Sequence, residues 1–425
     1  MSTFLNKLDW VFLITLLQLY LHYTLGVEYM KACGLIVEYN PFHNGHIYHI
    51  KQARSVSKAD CLIAVMSGSF LQRGEPAISD KFSRAKAALN SGVDIVLELP
   101  YAYSVQSSTL FAHGAIKALN GLKINSLCFG SESGSIKDFV NSYNALHRHK
   151  AYYDSILKHS LSKGLAYPEA SHNAYKSIGF DLDILKPNNI LGFSYVKEVL
   201  SKNHSIDLHT IDRINNEYHD ENLNNHISSA TSIRKEIFLN GFTQSAKNSL
   251  PASMINELEK YHEKANRFHN WECYFELLQY KVLSSTRFEL SKIALIDEGL
   301  HNRIKDTAQK AESFQHWMEL VKTKRYTWVK IQRIFTHILT STTQKELNNY
   351  HTNFNHIRLL GMTKTGQTYL RKVKADSEYN IVSSLKSYGK DSLEARISDI
   401  YYSVIKPMYR KDLLKQEYAP PIIIK

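Results

Sequence analysis

Lys31–Ile50 reads KACGLIVEYNPFHNGHIYHI, and the rest of the chain is arranged around it. Ala32–Val37 is a short apolar run with the length and composition of a buried strand. Asn40-Pro41 breaks the run, because a residue before proline is pushed out of the helical region. His43-Asn44-Gly45-His46 comes next, followed by a helical pattern with Ile47, Ile50 and Ala53 on one face. The two histidines therefore stand where a strand gives way to a helix. Such a junction gathers backbone N–H groups and the positive end of a helix dipole, which together favour phosphate.

The spacing carries chemistry. His43 and His46 are three apart and can face the same side as the helix starts. Gly45 has no Cβ and lets a nucleotide approach the backbone. Two imidazoles acting as donors can stabilise charge on a nucleotide α-phosphate and on the leaving pyrophosphate. The plainer reading is that the histidines only cap the helix. The strand before them, the turn and the helix after them favour the phosphate reading, since context confirms such a motif.

Beyond this stretch, strand-like runs alternate with helical ones. Cys61–Met66 reads as a second strand, leading into a polar loop, Ser67–Pro76. Lys81–Asn90 reads as a helix, Val93–Leu99 as a third strand, Phe111–Leu119 as a helix and Asn125–Phe129 as a fourth strand. This alternation predicts βαβ units and a parallel sheet. Ligands of such sheets bind at the carboxyl ends of the strands. That rule places the His43/His46 turn, the Ser67–Glu75 loop and the Gly130 turn along one edge. Lys137–Phe180 is helical in pattern, with a loop at Gly164–His172. Lys186–Gly192 (KPNNILG) reads as a loop, Tyr195–Ser201 as a helix and Ile206–Ile211 as a strand. Arg213, just after it, offers an always-charged fork that matches a phosphate. In Ile227–Arg234 (ISSATSIR), a serine can cap a helix beginning near Thr231, with Arg234 in its first turns, again a phosphate arrangement.

From about residue 240 strand signals fade, and stretches such as Trp271–Leu283 and Lys292–Gly299 predict a helical C-terminal part. Residues 241–425 hold 29 Lys and Arg against 19 Asp and Glu, and so carry +10 of the total charge of +12. The excess is densest in Val321–Ala375, where eleven basic residues face one acid, Glu346, with Tyr326, Trp328, Phe335 and Tyr369 interleaved. Such a patch can neutralise nucleic-acid phosphates and stack unpaired bases. Its alternative is a solvated basic face with the aromatics in the core. Four cysteines, none spaced CxxC, argue against a zinc site or a disulfide frame and predict buried reduced thiols of a cytosolic protein. Trp10–Val27 is apolar enough to resemble a membrane or signal segment, but Gln18 and His22 interrupt it. With Met30 directly before the first strand, residues 1–29 are expected to be a non-native or mis-annotated N-terminal extension rather than a real anchor, and no stable membrane association is expected.

GLIVEYNPFHNGHIYH resembles the HIGH signature of the nucleotidyltransferase superfamily. It is close to the start of one family within it, the bacterial tRNA(Met) cytidine acetate ligases, and the likeness runs from Met30 almost to the C-terminus. The resemblance implies an α/β fold: a Rossmann-like parallel-sheet nucleotidyltransferase domain over 30–240, then a mostly α-helical, basic, tRNA-binding domain over 241–425. It implies ATP contacts along Ile36, Val37, Glu38, Tyr39, Asn40, Pro41, Phe42, His43, Asn44, Gly45, His46, Ile47, Tyr48 and His49. It adds Gly130, Asn188, Arg213, Ser229 and Arg234, the last two in an element that stands where the tRNA synthetases have a lysine-rich loop. His43 and His46 would be catalytic. It further implies that ATP, with Mg2+, activates acetate as acetyl-adenylate. The acetyl group would then pass to the wobble cytidine of elongator tRNA(Met) in the cytoplasm. Two other readings stay open on the residues alone. One is an adenylyltransferase acting on a small phosphate-bearing acceptor; the other is a non-catalytic RNA-binding factor.

Overall fold

The computed structural model describes residues 30–180, 182–183, 186–212, 228–297 and 299–425. The expectation for residues 1–29 lies outside them. At the centre is an eight-stranded sheet. Its strands are β1 (Ala32–Val37), β2 (Cys61–Ser67), β3 (Ile95–Leu99), β4 (Ser126–Ser131), β5 (Asp207–Asp212), β6 (His356–Thr363), β7 (Asn380–Val382) and β8 (Ile422–Ile424). The order is β5-β4-β1-β2-β3-β6-β7, with β8 also on β6. The first five strands are mutually parallel, and β6 joins β3 antiparallel. Strand direction and order thus follow the doubly wound pattern, whose order reverses between β1 and β4. The apolar runs of β1 and β2 are buried on both faces, as a parallel sheet covered by helices requires.

The helices that position the site are α1 (Asn44–Ser57), α2 (Lys81–Leu89), α3 (Ser108–Gly121), α4 (Pro187–Ser201), α5 (Ala230–Asn240), α6 (Trp328–Leu339) and α7 (Lys364–Val373). Three sequence expectations are corrected. Lys186–Gly192 is not a loop: α4 starts at Pro187, because proline at the first helical position gives up an N–H that the helix leaves unpaired anyway. The described part of the Lys292–Gly299 stretch is not helical; Ile293 bridges to Thr343 and Leu295 takes a positive φ of 64°. Strands also return after residue 240, and β6–β8 extend the sheet at its β3 edge.

That return is fixed by a buried ion network. Arg358 on β6 meets Glu417 at 2.6 Å and Glu98 on β3 at 3.2 Å, and Lys81 meets Glu98 at 2.8 Å and Glu417 at 3.0 Å. Burial alone would raise the Glu417 carboxyl, but Lys81 and Arg358 together hold it below its usual range. Arg358 therefore belongs to the core and not to a nucleic-acid surface.

The helical part packs a second core against the Ser67–Pro76 loop. Thr336 donates to the Gly74 carbonyl at 2.6 Å, Trp271 donates to the same oxygen at 3.0 Å, and Arg333 donates to the Gln72 carbonyl at 2.6 Å. Gly74 has φ +79°, and a Cβ there would lie 2.6 Å from the Arg333 backbone. His337 seals the same seam. Its Nε2 faces the Val105 carbonyl at 3.2 Å and so carries the proton, while Nδ1 accepts from the Tyr101 hydroxyl at 2.9 Å. Burial pulls its pKa down to about 3.

A pH dependence follows. As pH falls from about 6.5 toward 3, the unfolded chain takes up a proton at His337 that the native fold refuses, so this residue makes stability fall with pH. Urea unfolding at pH 7.5 and pH 5 is expected to show a smaller loss in the His337→Gln variant than in the unsubstituted chain. An equal loss in both would contradict the assignment.

Candidate active site

A cavity of about 540 Å³ opens at the carboxyl ends of β1, β4 and β5. Its wall includes Ile36–Asn40, His43, Gly45, His46, Tyr48, His49, Gly130, Asn188, Ser229 and Arg234, so residues expected from sequence meet in one place. Arg213 lies outside the described residues. Pro41, Phe42, Asn44 and Ile47 do not line the cavity; Phe42 is fully buried beneath it.

Three helix N-termini face this space, through Gly45 and His46 on α1, Pro187 and Asn188 on α4, and Ala230 and Thr231 on α5. Each brings the positive end of a helix dipole, so the convergence suits a polyanion. Arg73 and Arg234 add full positive charge, while Glu38, Glu75 and Asp212 subtract it.

The histidines do cap α1, and the capping sets their chemistry. His43 Nδ1 accepts from the Gly45 amide at 3.1 Å, and His46 Nδ1 accepts from the His43 amide at 3.1 Å. With both Nδ1 atoms accepting, the neutral rings carry their protons on Nε2, and both are donors. The rings lie with centroids 3.8 Å apart, and Tyr39 and Phe42 flank His46 at 4.8 and 5.6 Å. Capping thus leaves both Nε2 donors available, so the cap does not compete with a role toward phosphate.

Asn188 is held by Glu132, which accepts from its side-chain amide at 2.6 Å and from the Asn189 backbone at 2.9 Å. Ser229 caps α5, accepting from the Ser232 amide at 3.1 Å. Arg234 donates to the Asn40 carbonyl at 2.7 Å and pairs with Glu75 at 3.1 Å, so it ties α5 to the turn before α1 and to the Ser67–Pro76 loop.

Sequence reading misses Arg84. Fully buried on α2, it donates to the carbonyls of Ser79, Asp80, Glu38, Ser67 and Gly68, and so clamps the ends of β1 and β2. Arg84, one of three basic residues in a short alanine-rich helix, looks like a surface residue, and no signal marks it. Trp328 stands out in the sequence only as one of four aromatics. Three of these are buried, but Trp328 is 42% exposed and lines the cavity with Gln332.

The chain matches the model of the family described as HIGH Nucleotidyl Transferase over residues 30–417. It is 48% identical to the tRNA(Met) cytidine acetate ligase of Oceanobacillus iheyensis, covering 93% of this chain and 100% of that protein. To the protein of that name from Bacillus subtilis it is 43% identical, covering 92% and 96%. Among solved structures it resembles Thermotoga maritima TmcAL at 30% identity, over 93% of this chain and 100% of that one. The TM-score is 0.86 for the apo crystal and 0.84 for the crystal bound with alpha-thio ATP. The fold, the HIGH-type turn and these likenesses together place the chain in the tRNA(Met) cytidine acetate ligase family of HIGH nucleotidyl transferases.

Proposed function

We infer that the chain activates acetate with ATP and transfers the acetyl group to the wobble cytidine of elongator tRNA(Met), giving N4-acetylcytidine. The observation that carries this reading is the paired imidazole donors among three helix N-termini at the sheet's switch point. In the first step an acetate oxygen attacks the α-phosphorus and pyrophosphate leaves. The protein's part is positioning and neutralising charge. His43 and His46 donate from Nε2 to the α-phosphate and the leaving pyrophosphate, and the amide end of α1 around Gly45 receives the same charge. Ser229, Arg234 and Arg213 hold phosphate, and Gly130 and Asn188 shape the adenosine end. Mg2+ is included in this reading. Among the described residues no three His, Cys, Asp or Glu side chains gather to hold a metal, so the ion would rest on phosphate oxygens and water.

Residues 241–425 are proposed as the tRNA-binding part, and the structure divides its basic run. Arg358 is buried and Arg333 is spent on the Gln72 carbonyl. α7, with Arg371 and Lys372, sits at the amino ends of the strands: Tyr369 donates to the Leu122 and Lys123 carbonyls just ahead of β4. That is the far edge from the cavity. Lys324 and Arg325, both exposed, come just before Trp328 in the sequence, and Trp328 lines the cavity. Replacing Lys324 and Arg325 with alanine is expected to weaken tRNA binding and lower the salt slope by about 1 per lost phosphate contact. The Lys372/Lys374 pair should matter much less. Filter binding at several salt concentrations checks this, and the reverse order would move the tRNA to the other face.

We also propose a cytoplasmic protein. All four cysteines are unbridged, and no helix among the described residues is long and apolar enough to cross a membrane. Incubation with ATP, labelled acetate and elongator tRNA(Met) tests the activity. Label in N4-acetylcytidine, with pyrophosphate released, is the expected result; AMP moved to a small phosphate-bearing acceptor would favour an adenylyltransferase instead.

A further inference from the structure

Acetyl transfer poses a problem that the phosphate-binding groups do not solve. The lone pair of cytosine's exocyclic amine is delocalised into the ring, so N4 attacks an acyl carbon well only as it gives up a proton. A base must therefore stand in the cavity. We propose that Glu38 is that base, and that its free carboxylate oxygen holds the N4 amine of the acceptor cytosine and takes a proton from it as the N4–acetyl bond forms. This rests on the acetate-ligase reading above.

Glu38 is the first residue beyond β1, at the switch point of the sheet, and it lines the same cavity as His43 and His46. Its carboxylate is held on one side only. Oε1 accepts from the Gln72 amide at 2.7 Å and from the Ser67 hydroxyl at 3.2 Å. Among the described residues no group donates to Oε2. Arg84 fixes the Glu38 carbonyl at 2.7 Å, so the backbone beneath the carboxylate cannot drift.

A carboxylate would repel a triphosphate, so this side chain is ill suited to ATP although it lies in the nucleotide-binding stretch. It suits cytosine, since carboxylates accept from the N4 amine, whereas the O4 of uracil would face them with a lone pair. The same contact therefore selects the base and starts the reaction.

Burial pushes the Glu38 carboxyl above its usual range, with Glu75 adding to the rise and Arg73 opposing it. Arg84, Arg333 and Tyr195 also face it. A raised carboxyl is a stronger base at neutral pH. The other candidates are worse placed. The Nδ1 atoms of His43 and His46 already accept backbone amides. Tyr195 is a phenol whose pKa burial raises further, so it holds its own proton.

The step balances. N4 bonds to the acetyl carbon, and one N4 proton passes to Glu38 Oε2. The bond from that carbon to the adenylate oxygen breaks, and its electron pair leaves with AMP. Glu38 then returns the proton to solvent.

The test separates the two half-reactions. Enzyme loaded with labelled acetyl-adenylate is mixed with tRNA, and transfer is followed in one turnover; acetate-dependent ATP–pyrophosphate exchange is measured alongside. Glu38→Gln keeps the acceptor for Gln72 but loses the base. It should slow transfer about 10²–10⁴-fold, at least ten times more than it slows exchange measured at saturating ATP. Glu38→Asp should recover part of the transfer rate, with its acidic limb moved to lower pH. Transfer at the normal rate in Glu38→Gln, or exchange falling in parallel with transfer, would overturn the proposal. Failure of the unsubstituted chain to show acetate-dependent exchange would overturn the underlying reading as well, so the two failures are told apart.

Discussion

Alanine in place of His46 lowers acetate-dependent ATP–pyrophosphate exchange by about 10²–10³-fold, the cost of removing one preorganised donor aimed at developing charge. The expectation rests on geometry. His46 Nδ1 is occupied by the His43 amide, which leaves the proton on Nε2, and Tyr39, Phe42 and His43 surround the ring. The donor therefore reaches the phosphate already oriented. The substitution also removes one reciprocal cap of α1, a loss of about 1 kcal/mol that the fold can bear. tRNA affinity should stay within a few-fold of normal, since the proposed tRNA surface lies on another part of the chain. His46→Gln can accept the same backbone amide while placing its donor differently, and so separates the cap from the catalysis. Exchange that survived His46→Ala, or tRNA binding lost in step with exchange, would show that the ring only caps.

The largest loss of stability is expected at Arg84. Its removal takes the guanidinium from the carbonyls of Ser79, Glu38, Ser67 and Gly68 and opens a cavity between β1, β2 and α2, while the Asp80 carbonyl keeps the backbone amide of residue 84. Stranded buried acceptors cost about 1–3 kcal/mol each, with some relief from relaxation. Arg84→Ala should therefore lose at least ~3 kcal/mol in urea unfolding. Arg84→Lys should recover little, because an ammonium cannot span the carbonyls that the planar fork reaches. The loss reaches function as well. The carbonyls it holds include those of Glu38, where β1 hands over to the His43/His46 turn, and of Ser67 and Gly68, where β2 enters the loop. A midpoint shift worth less than ~1 kcal/mol would mean that water or neighbouring donors replace it.

The first four strands were legible because a parallel sheet buried on both faces leaves largely apolar runs, and β1 falls on the residues its pattern marks; β5, at the sheet's edge, is mostly half-buried. The junction between β1 and α1 was legible because strand, proline turn and helix agree around His43 and His46. β6 was not: Arg358 interrupts its pattern, and the ion partners that make that charge tolerable, Glu98 and Glu417, are far off in sequence. The asparagines of KPNNILG read as turn residues because nothing local shows Glu132 closing the start of α4 around them. Arg84 was hidden for the same reason, since its partners are carbonyls, which sequence never displays. The basic run misled in part, because charge density along the chain says nothing of which face a lysine ends on.

A crystal structure of the chain with a slowly hydrolysed ATP analogue tests the central claim most directly. The triphosphate should lie against the start of α1, with the Nε2 atoms of His43 and His46 within hydrogen-bond distance of phosphate oxygens and the adenosine toward Gly130 and Asn188. Nucleotide density away from that turn, with both imidazoles left pointing at protein, would contradict the account.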